Sequence, residues 1–482
     1  MDSALSEDRV PTGIEGFDGL IEGGIPRRGL ILLAGDAGSG KTIFAAQYLY
    51  HGISKLKESG IYVSFAENRQ TFLENMSRIN IDFEKYEQEG TFRFLDLITV
   101  TDKGVGVVLE KILAEIDSLK AKRLVVDSFT ALAQAFSAQI DVRITVHTIL
   151  GKMVRQSGCT TILVAEKRRG DERIGSGMEE FVADGVILLK DTILDGRPFR
   201  ELEIRKLRGT RLTERNLAFT LGGGFRVFPP FKPKPIDNPS VVEPTPDPPE
   251  GFSTGIPDLD RVIGGGVPRG SSILLDLSEK ISSAEEQMLA AAVVANWVAQ
   301  GRGAWILPSS YADYEAIRST ALRYGFSQET FENLVLVSGY RKERAFEKRR
   351  PNFIRLGGSS LEEDLQSHVK PIGDLAGRTG KPILLVLSAD VVGILYGEDQ
   401  CERFLDMGVS MIRQRDSLAI YSVSRRRKKL GARLSALCET HLSLVKKHGA
   451  ILFYGTKPRT GIYAVEADVS NGCAMPRLAQ IV

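Results

Sequence analysis

The sequence predicts an α/β protein of two tandem halves, each a mainly parallel twisted sheet flanked by helices. Three observations carry that expectation. Apolar runs of strand length alternate with amphipathic runs of helix length, and strands separated by helices pair in parallel through crossovers that cover both sheet faces. The opening of the chain is repeated: "TGIEGFDGLIEGGIPRRGLILL" from Thr12 to Leu33 aligns without a gap on "TGIPDLDRVIGGGVPRGSSILL" from Thr254 to Leu275. Between the copies, "FPPFKPKPIDNPSVVEPTPDPPEG", residues 228–251, holds nine prolines, which exclude helix and central strand and leave a semi-rigid extended linker. The expected domains are therefore 1–228 and 251–482, with the linker at 229–250.

In the first half, "LILLAG" reads as a buried strand and "KTIFAAQYLYHGISKL" as the helix after it. "GIYVSF" is a second strand, "GVVLEKILAEIDSL" an amphipathic helix, "RLVVDS" a third strand and "CTTILVAE" a fourth. "GVILLKDTILDGRPFRELEIRKLRG" reads as an antiparallel pair turned at Asp195-Gly196. The second half repeats the order with "GAWILP", "PILLVLS", "LAIYSVS" and "AILFYGT".

Composition narrows the function classes. At 482 residues the chain exceeds one ordinary domain, and 43% hydrophobic with 26% charged residues is the balance of a folded globular protein. A net charge of +2 gives no whole-molecule field toward nucleic acid or a membrane surface, so any such binding must be local. Cys159, Cys401, Cys438 and Cys473 form no CxxC pair and read as buried, reduced thiols rather than metal ligands. The first residues carry no signal-peptide pattern and no run approaches membrane-spanning length, so a cytoplasmic location without membrane association is expected.

The chemistry concentrates in "GDAGSGKT", Gly35, Asp36, Ala37, Gly38, Ser39, Gly40, Lys41 and Thr42, placed between a strand and a helix. Glycines let backbone N–H groups converge on phosphate oxygens, and the helix N-terminus adds partial positive charge. Lys41 is expected to bridge the terminal phosphates of ATP, and the Thr42 hydroxyl to hold Mg2+. Hydrolysis further needs a carboxylate beside the metal and a group that orients or deprotonates water. Asp127, ending "RLVVDS", suits the first role. Glu67, just past "GIYVSF", is the candidate for the second, although a glutamate after a strand reads equally as a solvated loop residue.

Taken in order, "PTGIEGFDGLIEGGIPRRG", "GDAGSGKT", "YVSFAEN", "VVDSFTAL", "GMEEFVADGVILL" and "IRKLRGT" resemble the RecA-type ATPases of the circadian-clock KaiC-like family, from about Pro11 to Pro229. The resemblance implies two tandem RecA-like P-loop domains and an ATP site between neighbouring subunits, commonly in a hexameric ring. One subunit supplies Lys41, Thr42, Asp127 and Glu67. Its neighbour reaches across with Lys206 and Arg208 of "KLRG". Two departures matter. The paired glutamates frequent after the second strand are Ala66-Glu67 here, which bears on the hydrolysis rate, and the Ser-Thr pair of autokinase versions is Glu180-Phe181, which disfavours self-phosphorylation.

Carrying the repeat forward sets Leu277 against Gly35, and Ser282, Ser283 and Ala284 against Gly40, Lys41 and Thr42. Leu387 falls against Asp127 and Ser310 near Glu67, so the second half is expected to be a degenerate copy without Mg-ATP, while Lys457 and Arg459 repeat the spacing of Lys206 and Arg208. Two basic stretches, 341–355 and 424–433, read either as solvated faces or as a surface for a protein partner or nucleic acid. Their arginine content is similar to that of the regulatory gas-vesicle D proteins. The leading expectation is a slowly hydrolysing regulatory ATPase that forms a homo-oligomeric ring. The alternatives are an ATP-dependent assembly module without significant hydrolysis, and a recombinase-like DNA-binding ATPase.

Overall fold

The first strand after the lead-in, β1 (Leu30–Gly35), is buried along its whole length, as an unbroken apolar run in a sheet covered on both faces must be. The computed structural model describes residues 8–98, 105–130, 157–167, 183–236, 239–309, 313–340 and 350–482. The chain divides into two units, Met1–Pro230 with Ile481–Val482, and Phe231–Gln480.

In the first unit β1 leads into α1 (Lys41–Leu56), followed by β2 (Gly60–Ser64), α2 (Arg69–Ser77), α3 (Phe83–Gln88), β3 (Phe92–Asp96), α4 (Val105–Leu119), β4 (Arg123–Asp127) and β5 (Thr160–Glu166). The hairpin β6 (Gly185–Leu194) and β7 (Arg197–Leu207) turns at Asp195 and Gly196, at φ 48° and 70°, the left-handed pair a two-residue hairpin needs. β8 (Asn216–Thr220) and β9 (Arg226–Phe228) complete the sheet. Among the described residues the strand order is β9-β8-β7-β6-β1-β5-β4-β2-β3, parallel from β6 to β3 and antiparallel beyond β6. One core packs Phe44, Tyr48 and Leu49 of α1 against Tyr62, Phe72 and Phe94. The other, across the sheet, joins Leu32, Val63, Val126 and Leu163 to Leu109 and Ile112 of α4.

The second unit contains β10 (Ser271–Leu277), α5 (Ser283–Ala299), β11 (Ala304–Leu307), α6 (Tyr314–Arg323), α7 (Gln328–Leu334), β12 (Val335–Gly339) and β13 (Phe353–Arg355). It continues with α8 (Leu361–Thr379), β14 (Leu384–Ser388), α9 (Ala389–Tyr396), α10 (Glu398–Gln414), β15 (Leu418–Ser424), α11 (Lys428–Leu437) and β16 to β19 (Thr440–Lys447, Ala450–Lys457, Tyr463–Asp468, Met475–Gln480). Its order, β13-β12-β11-β14-β15-β10-β16-β17-β18-β19, repeats the first unit around β10, which stands where β1 stands. Of the proline-rich segment, Val242 is buried in this unit's core and the Phe231 N–H donates to Gly449 O.

The repeated lead-in has a structural cause. The Asp18 carboxylate accepts from the N–H and hydroxyl of Thr12 at 2.8 and 2.6 Å, and Asp260 accepts from those of Thr254 at 2.9 and 2.6 Å. The same small clasp thus holds each entry to its sheet.

One register expectation is corrected. In the first unit Leu33 stands opposite Val164, which stands opposite Asp127. In the second, Leu275 stands opposite Ser422, which stands opposite Ser388. Ser388, and not Leu387, therefore occupies the place of Asp127. Leu387 faces the opposite core, because adjacent strand residues point to opposite faces. Ser310 lies outside the described residues, as do Glu180-Phe181 and residues 341–349 of the first basic stretch.

Candidate functional site

The first unit's loop is built by backbone conformations that side chains resist. Gly38 and Gly40 sit at φ 77° and 95°, and a Cβ on Gly40 would lie 2.7 Å from the Leu221 side chain. Gly35, at the end of β1, has Ser39 Oγ 2.5 Å and Leu189 O 2.7 Å from where a Cβ would stand. Gly40 is the N-cap of α1 and supplies no side chain to its first turn, so the helix N-terminus stays open toward the loop. Among the described residues Asp36 Oδ1 and Ser39 Oγ are buried without a hydrogen-bond partner. Open amides and the Ser39 hydroxyl, a donor, in a glycine-shaped cradle fit the phosphates of a nucleotide.

Lys41 opens α1 and is buried, its Nζ donating to Gly35 O at 3.0 Å and Asp36 O at 2.7 Å. Burial pulls its ammonium pKa down, against the charges of Asp127, Glu166 and Asp36, which favour the charged form. Thr42 Oγ1 donates to Asp127 Oδ2 at 2.8 Å, closing the link between loop and β4. Tyr62 Oη donates to the same oxygen at 2.6 Å. Thr42 and Asp127 fit Mg2+, which is commonly held by one or two protein oxygens together with phosphates.

Glu67 follows β2. Its turn is fixed by Ser64, whose hydroxyl donates to Glu67 O at 2.6 Å and accepts from Glu67 N at 3.0 Å, and Asn68 then caps α2 by accepting from Thr71 N at 2.9 Å. Glu67 Oε1 is buried with no hydrogen-bond partner among the described residues, and Oε2 lies 3.5 Å from Asn75 Nδ2. Burial, with the Asp127 charge adding to it, pushes the Glu67 carboxyl above its ordinary value. A desolvated carboxylate with a raised pKa beside a phosphate cradle can take a proton from water.

Lys206 and Arg208 lie elsewhere. Lys206 on β7 pairs with Val186 near the start of β6, and the Arg208 guanidinium meets Asp184 at 3.2 Å. Asp184 also accepts from Leu30 N at the start of β1, whereas the loop leaves that strand's other end. One chain therefore gathers Lys41, Thr42, Asp127 and Glu67 but holds Lys206 and Arg208 at the opposite edge of its sheet. The motifs gave no signal for Tyr62 or Asp184: an inward-facing tyrosine in an apolar strand reads as core, and an aspartate before a strand reads as a cap.

In the second unit α5 follows β10 as α1 follows β1, but its N-terminus is filled. Ser282 Oγ accepts from Glu285 N, Glu285 Oε2 accepts from Ser282 N at 2.8 Å, and Lys446 Nζ donates to Glu285 Oε1 at 2.7 Å. The arginines of 424–433 are largely paired within the unit: Arg425 with Asp276 at 2.8 Å, Arg426 with Glu279 at 3.4 Å, Arg427 with Asp390 at 3.3 Å and Arg433 with Glu402 at 2.7 Å. Lys428 and Lys429 are exposed. All four cysteines are buried and free. No helix among the described residues is long and apolar enough to cross a membrane.

Comparison with known proteins agrees with this division. Residues 10–230 match the ATPase family described as KaiC. Residues 241–328 match a family described as GvpD basic region 2, a span that ends before both arginine-rich stretches. The circadian clock oscillator protein KaiC of Prochlorococcus marinus is 32% identical over 279 residues, covering 56% of this chain and 54% of that protein. That of Thermosynechococcus vestitus is 33% identical over 282 residues, covering 56% and 52%. The chain thus spans about half the length of the curated relatives it matches. A solved KaiC-like protein from Pyrococcus horikoshii OT3 is 36% identical, covering 46% of this chain and 99% of that one, with a TM-score of 0.42. Ordered motifs, a glycine-shaped phosphate loop and the family match converge on the first unit: residues 10–230 form a KaiC-like ATPase domain of the RecA superfamily.

Proposed function

We propose that the chain is a regulatory protein that binds and slowly hydrolyses ATP, with one Mg-ATP per chain held at a subunit interface of a homo-oligomeric ring, expected to be hexameric. The carrying observation is the split of the site: Lys41, Thr42, Asp127 and Glu67 meet at the loop, whereas Lys206 and Arg208 sit at the far edge of the same sheet. In this reading residues 1–228 form the working domain, 229–250 the linker, and 251–482 a scaffold or partner-binding surface.

Magnesium, when bound, neutralises phosphate charge; the rest falls to side chains. Lys41 exchanges its two loop carbonyls for phosphate oxygens. Thr42 and Asp127 hold the metal, and Tyr62 fixes Asp127. Glu67 orients water and accepts its proton. Lys206 and Arg208 of an adjoining subunit stabilise charge on the departing phosphate.

Purified protein is expected to release phosphate from ATP, and Lys41→Ala to abolish this. Mixing Lys41→Ala with Arg208→Ala subunits is expected to restore part of the turnover, because some interfaces then pair an intact loop with an intact Arg208. Absence of recovery in mixed assemblies refutes the shared site. Wild-type protein that binds ATP and assembles, yet turns over no faster than Lys41→Ala, identifies the chain as an assembly module instead.

A further inference from the structure

The second unit lost its phosphate loop and also changed the packing behind it. The glycine of each lead-in packs on the helix after the first strand, Gly13 against His51 and Gly255 against Asn296, which sets Glu286, Ala290 and Ala291 of α5 in the places of Lys41, Ala45 and Ala46 of α1. Through the strand pairing described above, Ile306 of β11 takes the place of Tyr62. A tyrosine becomes an isoleucine, and the lysine of the phosphate loop becomes a carboxylic acid. The first unit fills this space with packed rings, Tyr62 lying 4.4 Å from Phe72 and 5.7 Å from Phe94 between centroids.

The second unit leaves a cavity of about 80 Å³ between α5, α6, α7 and the sheet. Such a space has room for several water-sized groups. Its walls are apolar, formed by Ala290, Val294, Ile306, Phe331 and Val386 among others. Glu286 lies at the end toward the sheet's carboxyl edge, where Ser309 and Ser422 hydrogen-bond its carboxyl. That edge is where open α/β sheets bind ligands. No Lys, Arg or His lines the cavity among the described residues. A phosphate or carboxylate would therefore meet one acid and no cation. A small molecule with an apolar body and a positively charged donor has a complement for each part.

We propose that the second unit carries a binding site for a small apolar amine, its body in the cavity and its ammonium on Glu286. Desolvation holds the Glu286 carboxyl above its ordinary range, with the charge of Asp390 acting in the same direction, and an ammonium would supply the missing countercharge. The site belongs to the second unit alone and does not depend on ATP turnover in the first.

The test uses the full chain and three probes of one shape: benzylamine, benzyl alcohol and benzoate, titrated by calorimetry. Benzylamine is expected to bind, benzyl alcohol to bind about tenfold more weakly, and benzoate not to bind; tenfold is the scale of one charge-assisted hydrogen bond. Glu286→Gln should weaken benzylamine by about tenfold and leave benzyl alcohol unchanged. Ala290→Leu, which fills the cavity from α5, should abolish binding of both while ATP binding stays at the wild-type level; Ala291→Leu serves if that variant is unstable. Failure of benzylamine to bind wild type, binding that survives cavity filling, or equal affinity for amine and alcohol overturns the assignment.

Discussion

At the scale of single residues, Tyr62 and Glu67 test the proposed metal site and the proposed turnover separately. The Tyr62 ring is buried against Phe72 and Phe94, and its hydroxyl donates to Asp127. Burial, reinforced by the Asp127 charge, keeps that phenol protonated far above its ordinary range, so it stays a donor at working pH. Tyr62→Phe keeps the ring and deletes the donor. The Mg2+ concentration for half-maximal turnover is expected to rise by about tenfold, as when the partner of a metal-binding carboxylate is lost, with the unfolding temperature unchanged. A shift in stability with no shift in Mg2+ dependence contradicts this role. For Glu67 the pH profile is diagnostic. A base acts only when ionised, and its carboxyl titrates above its ordinary 4.5, so turnover should fall at a correspondingly higher pH than an exposed glutamate would set. Glu67→Gln should keep ATP binding and lose turnover. Lys41, Thr42 and Asp127 were legible in the sequence because phosphate chemistry confines them to a fixed loop and a strand end. Tyr62 was not, because its function is one hydrogen bond made by an otherwise ordinary core ring.

At the scale of elements, α1 and α5 show two treatments of a helix N-terminus. The first is capped by a glycine and left open; the second is closed by Ser282 and Glu285. Ser282→Ala should lower the stability of the second unit by about 1 kcal/mol, measured by denaturant unfolding. Burial by itself would raise the Glu285 carboxyl, but hydrogen bonds from Lys446 and Ser282 outweigh it and hold the group below 4.5. The sign follows: a depressed folded pKa adds stability above pH 4.5, lost as pH falls through the folded value. Glu285→Gln should therefore flatten the acid limb of the stability curve, and an unchanged limb would contradict the pairing. The strand register explains why sequence reading stopped short here. In "PILLVLS" both faces are buried and no polar alternation marks which residue points where, so an ungapped alignment set Leu387 on a face that belongs to Ser388. The strands β8 and β9 escaped for a related reason, being short and joined without a crossover helix.

At the scale of the whole molecule, the duplication was plain because both copies retain the Asp18 and Asp260 clasps, which depend on local sequence alone. The different uses of the two copies required the fold. Equilibrium dialysis should find one Mg-ATP per chain, and two would contradict the closed cap of α5. Assembly is the other molecular-scale outcome: mass measured with and without Mg-ATP should show the larger species only with nucleotide, retained in Glu67→Gln and lost in Lys41→Ala. Arg425 and Arg427 pair with carboxylates in partly buried positions while Lys428 and Lys429 stay exposed, so neutralising those two arginines should cost fold stability before it costs affinity for any polyanion.

The closed cap of α5 also determines whether the loss of nucleotide chemistry can be undone. Restoring Gly at 277 and Gly, Lys and Thr at 282–284 would rebuild the motif in letters, yet Glu285 would remain at the helix mouth as a resident anion that repels the incoming one. Removing Glu285 as well would strand the half-buried ammonium of Lys446. Each single step back is therefore unfavourable unless the others accompany it. The second unit is entrenched in its present form.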